Sequence, residues 1–250
     1  MSDMGILAIG FDFIGTIAHV NADVETCRKD MYTELVRSGI QVREEVFHRT
    51  YTQVMMELRK KRLETMQEIS NALWLTETLE RVGRHYEPDN PVIIGAVDAF
   101  FKSYLESITM YDETPITLAD LKGRYKLGLI SNFTYAKVVR QALDRLQLSK
   151  TFDSIVISDE VGWRKPHPIV FRRLLSDLHV KPEECLFVGD DAKYDVVGAK
   201  AVGMKTALLI EGPTPSEDVY YDVEIGGAQV EPDFYIRSIA ELPTLLGEPR

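Results

Sequence analysis

The sequence predicts an α/β protein, a doubly wound parallel sheet into which a block of helices is inserted. Three observations predict it. Short apolar runs recur, each followed by small or polar residues; such continuous runs read as strands buried on both faces. Helical periodicities alternate with the later runs, the pattern of repeated strand–helix–strand units. The stretch 21–111 carries long helical patterns and no clear strand signal.

The elements follow in order. Residues 6–11 form the first strand and end at Asp12. Helical patterns at 42–69, 71–82 and 92–108 make up the insert, punctuated by Pro88 and Pro91. The α/β pattern resumes near Thr114. Strands are expected at 125–130, 154–158, 185–188 and 206–210, with helices at 135–146, 169–178 and 195–202 between them. Residues 211–231 are polar and rich in glycine and proline, and read as a long loop. Residues 232–236 look like an edge strand and 238–246 a closing helix. The expected division is a core of 1–20 and 112–250 and a helical unit of 21–111.

Composition bounds the function. The 250 residues carry a net charge of −10, which argues against nucleic-acid or anionic-membrane partners. A phosphorylated small molecule remains compatible, because a metal ion and one lysine reverse the local field. The two cysteines, Cys27 and Cys185, are far apart and fit a reducing cytoplasm rather than a disulfide framework. The N-terminus has no basic region followed by an apolar stretch, so no signal peptide is expected. The apolar runs are short of a membrane span. Monomer and homodimer are both open.

Four short stretches carry chemistry. They are Asp12-Phe-Ile-Gly-Thr16; Ser131-Asn132; Gly162-Trp-Arg-Lys-Pro-His-Pro168; and Gly189-Asp-Asp-Ala-Lys-Tyr-Asp195. Taken singly, each has an ordinary reading as a helix cap or a surface charge. Taken together, they fit phosphoryl transfer. Asp12 can attack phosphorus and form a covalent aspartyl intermediate. Asp12, Asp190 and Asp195 are hard oxygen ligands suited to Mg²⁺. The Ser131 hydroxyl, the Asn132 N–H and the Lys165 ammonium can hold the remaining phosphoryl oxygens.

On these motifs, their order and their spacing, the chain resembles the haloacid dehalogenase superfamily of hydrolases over nearly its whole length. The resemblance implies a Rossmann-like core with a C1-type helical cap. It implies Asp12 as nucleophile, Thr16 and Ser131 as binders of the transferring group, and Lys165 as its orienting cation. It further implies Asp190 as a metal ligand supported by Asp195, with Asp191 the alternative ligand, and a backbone carbonyl from Ile14.

The departure from the family lies at Ile14. Phosphatases of this family usually carry there a second Asp that protonates the leaving group and activates water. Isoleucine transfers no protons, and general acid–base catalysis is typically worth about 10²–10⁴-fold. Three readings follow. The first is a Mg²⁺-dependent phosphohydrolase with altered acid–base chemistry, in the manner of the phosphonoacetaldehyde hydrolases and P-type ATPases, which also lack that Asp. The second is a metal-free haloacid dehalogenase; against it stand the isoleucine, where those enzymes usually have tyrosine, and the Gly189-Asp190-Asp191 stretch. The third is a slow or non-catalytic binding protein, which sits poorly with retention of the other motif residues.

His19 and Asn21 follow the first motif and either face the site from the cap hinge or lie outside it; an imidazole there would supply the proton that Ile14 cannot. The basic run Arg59-Lys60-Lys61-Arg62 reads as a solvated helix face, Met55 and Met56 as core filler, Trp74 as cap core and His167 as a surface residue at a helix start. Trp163 is expected to pack near the cleft.

Overall fold

A computed structural model describes residues 5–210 and 230–247. The stretch expected to form a polar loop lies almost wholly outside them. Strand β1 (Ala8–Asp12) leads to a short strand β2 (Ala18–Val20). Four helices follow: α1 (Val24–Arg37), α2 (Glu44–Thr65), α3 (Asn71–Arg81) and α4 (Pro91–Ser107). A second short strand, β3 (Ile108–Met110), pairs antiparallel with β2. The helical cap thus leaves and rejoins the rest of the chain through a two-stranded ribbon. The sequence shows no strand signal at 108–110, because three residues set no periodicity of their own.

Helix α5 (Thr114–Lys122) precedes β4 (Lys126–Ser131), α6 (Ala136–Arg145) and β5 (Ser154–Ile157). A single turn, α7 (Ser158–Val161), and helix α8 (Pro168–Leu178) lead to β6 (Cys185–Gly189). A π-helical turn (Ala192–Val196) runs into α9 (Val197–Ala201), then β7 (Lys205–Leu209), β8 (Phe234–Ile236) and α10 (Leu242–Leu246). The helix expected at 195–202 therefore starts three residues early, in the wider turn.

The sheet has six strands in the order β5-β4-β1-β6-β7-β8, all parallel. β1 and β6 are buried along their whole length, as their unbroken apolar runs require. Register aligns their ends. Asp12 faces Ile130 of β4, and Phe11 faces Val188 of β6. Ser131 and Asp190 therefore lie one step beyond Asp12 on either side, at the carboxyl edge where parallel sheets collect ligands.

Candidate active site

Asp12 ends β1 and is 8% exposed. The ammonium of Lys165, fully buried, donates to Asp12 Oδ1 and lies 2.6 Å from Asp195 Oδ1. Lys165 is fixed by its backbone: its N–H donates to Asn132 Oδ1 at 2.7 Å, and the Asn132 amide donates back to its carbonyl at 3.1 Å. Asn132 thus joins the end of β4 to the lysine loop.

Asp190 follows β6, and Thr16 Oγ1 donates to its Oδ1 at 3.2 Å. The π-helical turn brings Asp195 back under the end of β6, where its Oδ2 accepts the Asp191 N–H at 3.1 Å. Two glycines make room for the carboxylates. A Cβ on Gly15, whose φ is +102°, would sit 2.3 Å from Asp190 Oδ2, and one on Gly189 would sit 2.1 Å from Asp195 Oδ2. Neither position admits another residue without displacing a carboxylate.

Ligand oxygens of Asp12, Asp190 and Asp195 lie within 4.8 Å of one another. Burial pushes Asp12 up to about 6, with Asp190 adding to the rise and Lys165 opposing it. Asp190 is likewise raised to about 6 by burial and by Asp195. Asp195 is raised to about 7 by burial, against the pull of Lys165. Burial works against the charge on Lys165, but Asp12 and Asp195 outweigh it and hold the ammonium above its ordinary range. Three crowded carboxylates balanced by one ammonium are a donor set short of positive charge. A hard divalent cation fits it.

Above these groups lies a cavity of about 180 Å³, roofed by the cap. Tyr51 and Met55 of α2, Trp74 of α3, and Phe101 and Tyr104 of α4 line it, with Phe133 and Ile14 from the core. Arg28, Arg59, Arg62 and Arg164 also border it. Arg62 and Arg164 converge on the buried Glu68 carboxylate, at 3.3 and 3.6 Å. The other Glu68 oxygen accepts from Ser158 at 2.6 Å. Next to it, Gln67 bridges Trp163, the Glu68 N–H donates to the Gly162 carbonyl, and the Arg164 N–H donates to that of Met66. The cap therefore grips the very loop that carries Lys165.

Residues 9–209 match the family of haloacid dehalogenase-like hydrolases. The chain belongs to this family. It is 31% identical over 246 residues to the glyceraldehyde 3-phosphate phosphatase of Pyrococcus furiosus, covering 96% of this chain and 92% of the relative. It is 36% identical to the phosphoglycolate phosphatase of Aquifex aeolicus, over 56% of this chain and 77% of that one. The fold is similar to the crystal structure of a 2-haloacid dehalogenase from Pseudomonas syringae pv. Tomato, with a TM-score of 0.68, 22% identity, and 96% and 98% of the two chains covered. The family, the relatives and the carboxylate cluster mark the chain as a phosphatase-like hydrolase. Among the described residues, no helix is long and apolar enough to cross a membrane.

Most of the residues singled out in the sequence of this haloacid dehalogenase-like hydrolase stand together. Asp12, Ile14, Ser131, Asn132, Lys165, Asp190, Asp191 and Asp195 all line the cavity. Thr16 lies just beneath it, bonded to Asp190. Asp191 has a different occupation from its neighbours: its Oδ1 caps the π-helical turn, accepting the N–H groups of Lys193 and Tyr194 at 2.8 and 2.9 Å. His19 is not among the lining residues. It sits on the β2–β3 ribbon, 3.0 Å from Thr109 Oγ1 and against the Tyr111 ring. Asn21 is exposed.

The cap holds the surprises. Arg59 and Arg62 border the cavity, so half of the supposed solvated run faces inward. Met55 packs against the core as expected and also lines the cavity, whereas Met56 is 64% exposed and fills no core. Trp74 is buried as expected but forms part of the cavity wall. Trp163 stacks on His167, and neither lines the cavity. The missed residues had a signal. Tyr51, Met55, Arg59 and Arg62 are spaced by four, four and three, which puts them on one helix face.

Proposed function

We propose that this protein is a Mg²⁺-dependent phosphohydrolase acting on a small phosphorylated metabolite through an aspartyl-phosphate intermediate. The observation that carries it is the convergence of the Asp12, Asp190 and Asp195 carboxylates around the Lys165 ammonium. Asp12, Asp190 and Asp195 would hold the ion, together with the Ile14 carbonyl. Bound there, Mg²⁺ offsets the repulsion between nucleophile and anionic substrate.

Asp12 is the nucleophile and attacks phosphorus. The Ser131 hydroxyl and the Lys165 ammonium take the phosphoryl oxygens, stabilising charge that spreads over them in the transition state. Asn132 keeps Lys165 in place. Thr16 orients Asp190 through its hydroxyl. Asp191 supports the turn that presents Asp195. The cap, which we take to span 21–111 with its hinge at the β2–β3 ribbon, encloses the leaving group and excludes water.

The test is phosphate release from p-nitrophenyl phosphate with Mg²⁺ and with chelator. Metal-dependent release is expected. Asp12→Asn should lower turnover by at least about 10³-fold with an unchanged circular dichroism spectrum. Turnover of the variant at the wild-type rate removes Asp12 as nucleophile. Chelator-resistant cleavage of a halogenated acid would favour dehalogenation instead.

A further inference from the structure

Resting on the phosphohydrolase reading, we propose that the substrate is an aryl phosphate, whose leaving group is a single aromatic ring bearing the ester oxygen. Two independent features of the cavity point to it.

The first is the side chain beside the nucleophile. Ile14 lines the cavity with Asp12, and among the described residues no histidine lines it; His19 is held at Thr109 on the ribbon. Among the described residues, the lining carboxylates are those required at the nucleophile and the cation, or the cap of the π-helical turn. A substrate suited to this site departs without strong protonation. A phenol does so, because it ionises near pH 10, far below an aliphatic alcohol.

The second feature is the aromatic wall of the same cavity. Phe101, Tyr104 and Phe133 pack on one another with ring centroids 5.5 to 5.7 Å apart. Tyr51 and Trp74 complete the enclosure, each 2% exposed. Rings already packed edge-on and tilted lose little freedom on receiving another. The cavity measures about 180 Å³ and takes in Asp12, Ser131, Lys165 and Asp190 at one end, so a compact leaving group occupies the part walled by the rings. Hydroxyls of a short polyhydroxylated leaving group would lie against aromatic carbon wherever they did not reach the bordering arginines, at a desolvation cost.

The step balances without a protein acid. An Asp12 carboxylate oxygen forms a bond to phosphorus as the bond from phosphorus to the aryl oxygen breaks. The electron pair stays on that oxygen, and the phenolate takes its proton from solvent. Water then attacks phosphorus, the aspartyl P–O bond breaks, the Asp12 carboxylate is restored and a proton goes to solvent.

The experiment measures kcat/KM with Mg²⁺ for substituted phenyl phosphates, for glycerol 3-phosphate and other alkyl phosphates, and for acetyl phosphate. A preference for aryl over alkyl esters of at least tenfold is expected, with log kcat falling as the leaving-group pKa rises. In Trp74→Ala the aryl-to-alkyl ratio should collapse. Phenylphosphonate, which cannot be hydrolysed, should quench Trp74 fluorescence in a Trp163→Phe background, and methylphosphonate should not. That measurement needs no truncation of the wall, so it stands if Trp74→Ala fails to fold. Alkyl esters at parity or better, or indistinguishable phosphonates, overturn the aryl assignment alone. No phosphate release from any ester, acetyl phosphate included, overturns the phosphohydrolase reading and this one with it.

Discussion

Ile14 is the residue on which the proposed chemistry turns. It stands two positions after Asp12 and lines the cavity. Replacing it with a proton donor tests what its hydrocarbon omits. Ile14→Asp should raise turnover on alkyl phosphates, toward the roughly 10²-fold that general acid catalysis supplies, and raise it far less on aryl phosphates. Parallel rate measurements on the two series check this; an equal effect on both, or none, counts against the account. At this scale the sequence was informative wherever a residue's position follows from a strand end. Asp12, Ser131 and Asp190 are carried to one edge by three neighbouring strands in register. His19 follows a turn, and its placement depends on pairing with a strand whose partner residue, Thr109, is 90 positions away. Nothing local encodes that.

Between elements, the decisive contact is that of the α2–α3 connection with the Lys165 loop. Glu68 lies between Arg62 of the cap and Arg164 of the core, and its side chain is 1% exposed. Removing one member of such a buried group leaves the others uncompensated, typically at about 3–5 kcal/mol. Glu68→Ala should lower stability by that order in chemical denaturation, and turnover should fall as the lysine loop loses its brace. A loss under about 1 kcal/mol, the range of exposed ion pairs, would mean the group is solvated in practice. The sequence foretold the α2 and α3 helices because their patterns are long. It was silent on Glu68, which stands in a short connection and acts through partners from two other segments. The inward-facing arginines were hidden differently: a run of four cations looks solvated until the helix is placed against its neighbours.

For the whole molecule, the carboxylate cluster ties stability to pH and metal. Ordinary carboxylates ionise near pH 4; here Asp12 and Asp190 are raised to about 6 and Asp195 to about 7. A raised folded-state pKa means that the fold binds the proton more tightly than the unfolded chain. The resulting stabilisation is full below about pH 4 and is lost as pH climbs through about 6 to 7. Lys165, held above its ordinary range, keeps its charge throughout this window. Metal-free protein should therefore lose stability from these groups between about pH 4 and 7. Mg²⁺ should restore it increasingly as the carboxylates ionise. Melting curves with chelator and with Mg²⁺ at acid and mildly alkaline pH check the sign: the gain from Mg²⁺ should be larger at the higher pH, and a pH-independent gain would contradict it. The six-stranded sheet and the helical insert were legible throughout, because each rests on patterns many residues long.

The backbone bridge between Gln67 and Trp163, with its flanking bonds from Glu68 and Arg164, bears on how such a protein can change over time. Cap and core are joined covalently at the ribbon and again, without covalent bonds, at the segment that aims Lys165. They are not interchangeable modules. A chimera that received its helical roof from another relative would inherit a new chamber, but would keep its lysine in register only if residues 66–68 came from the host.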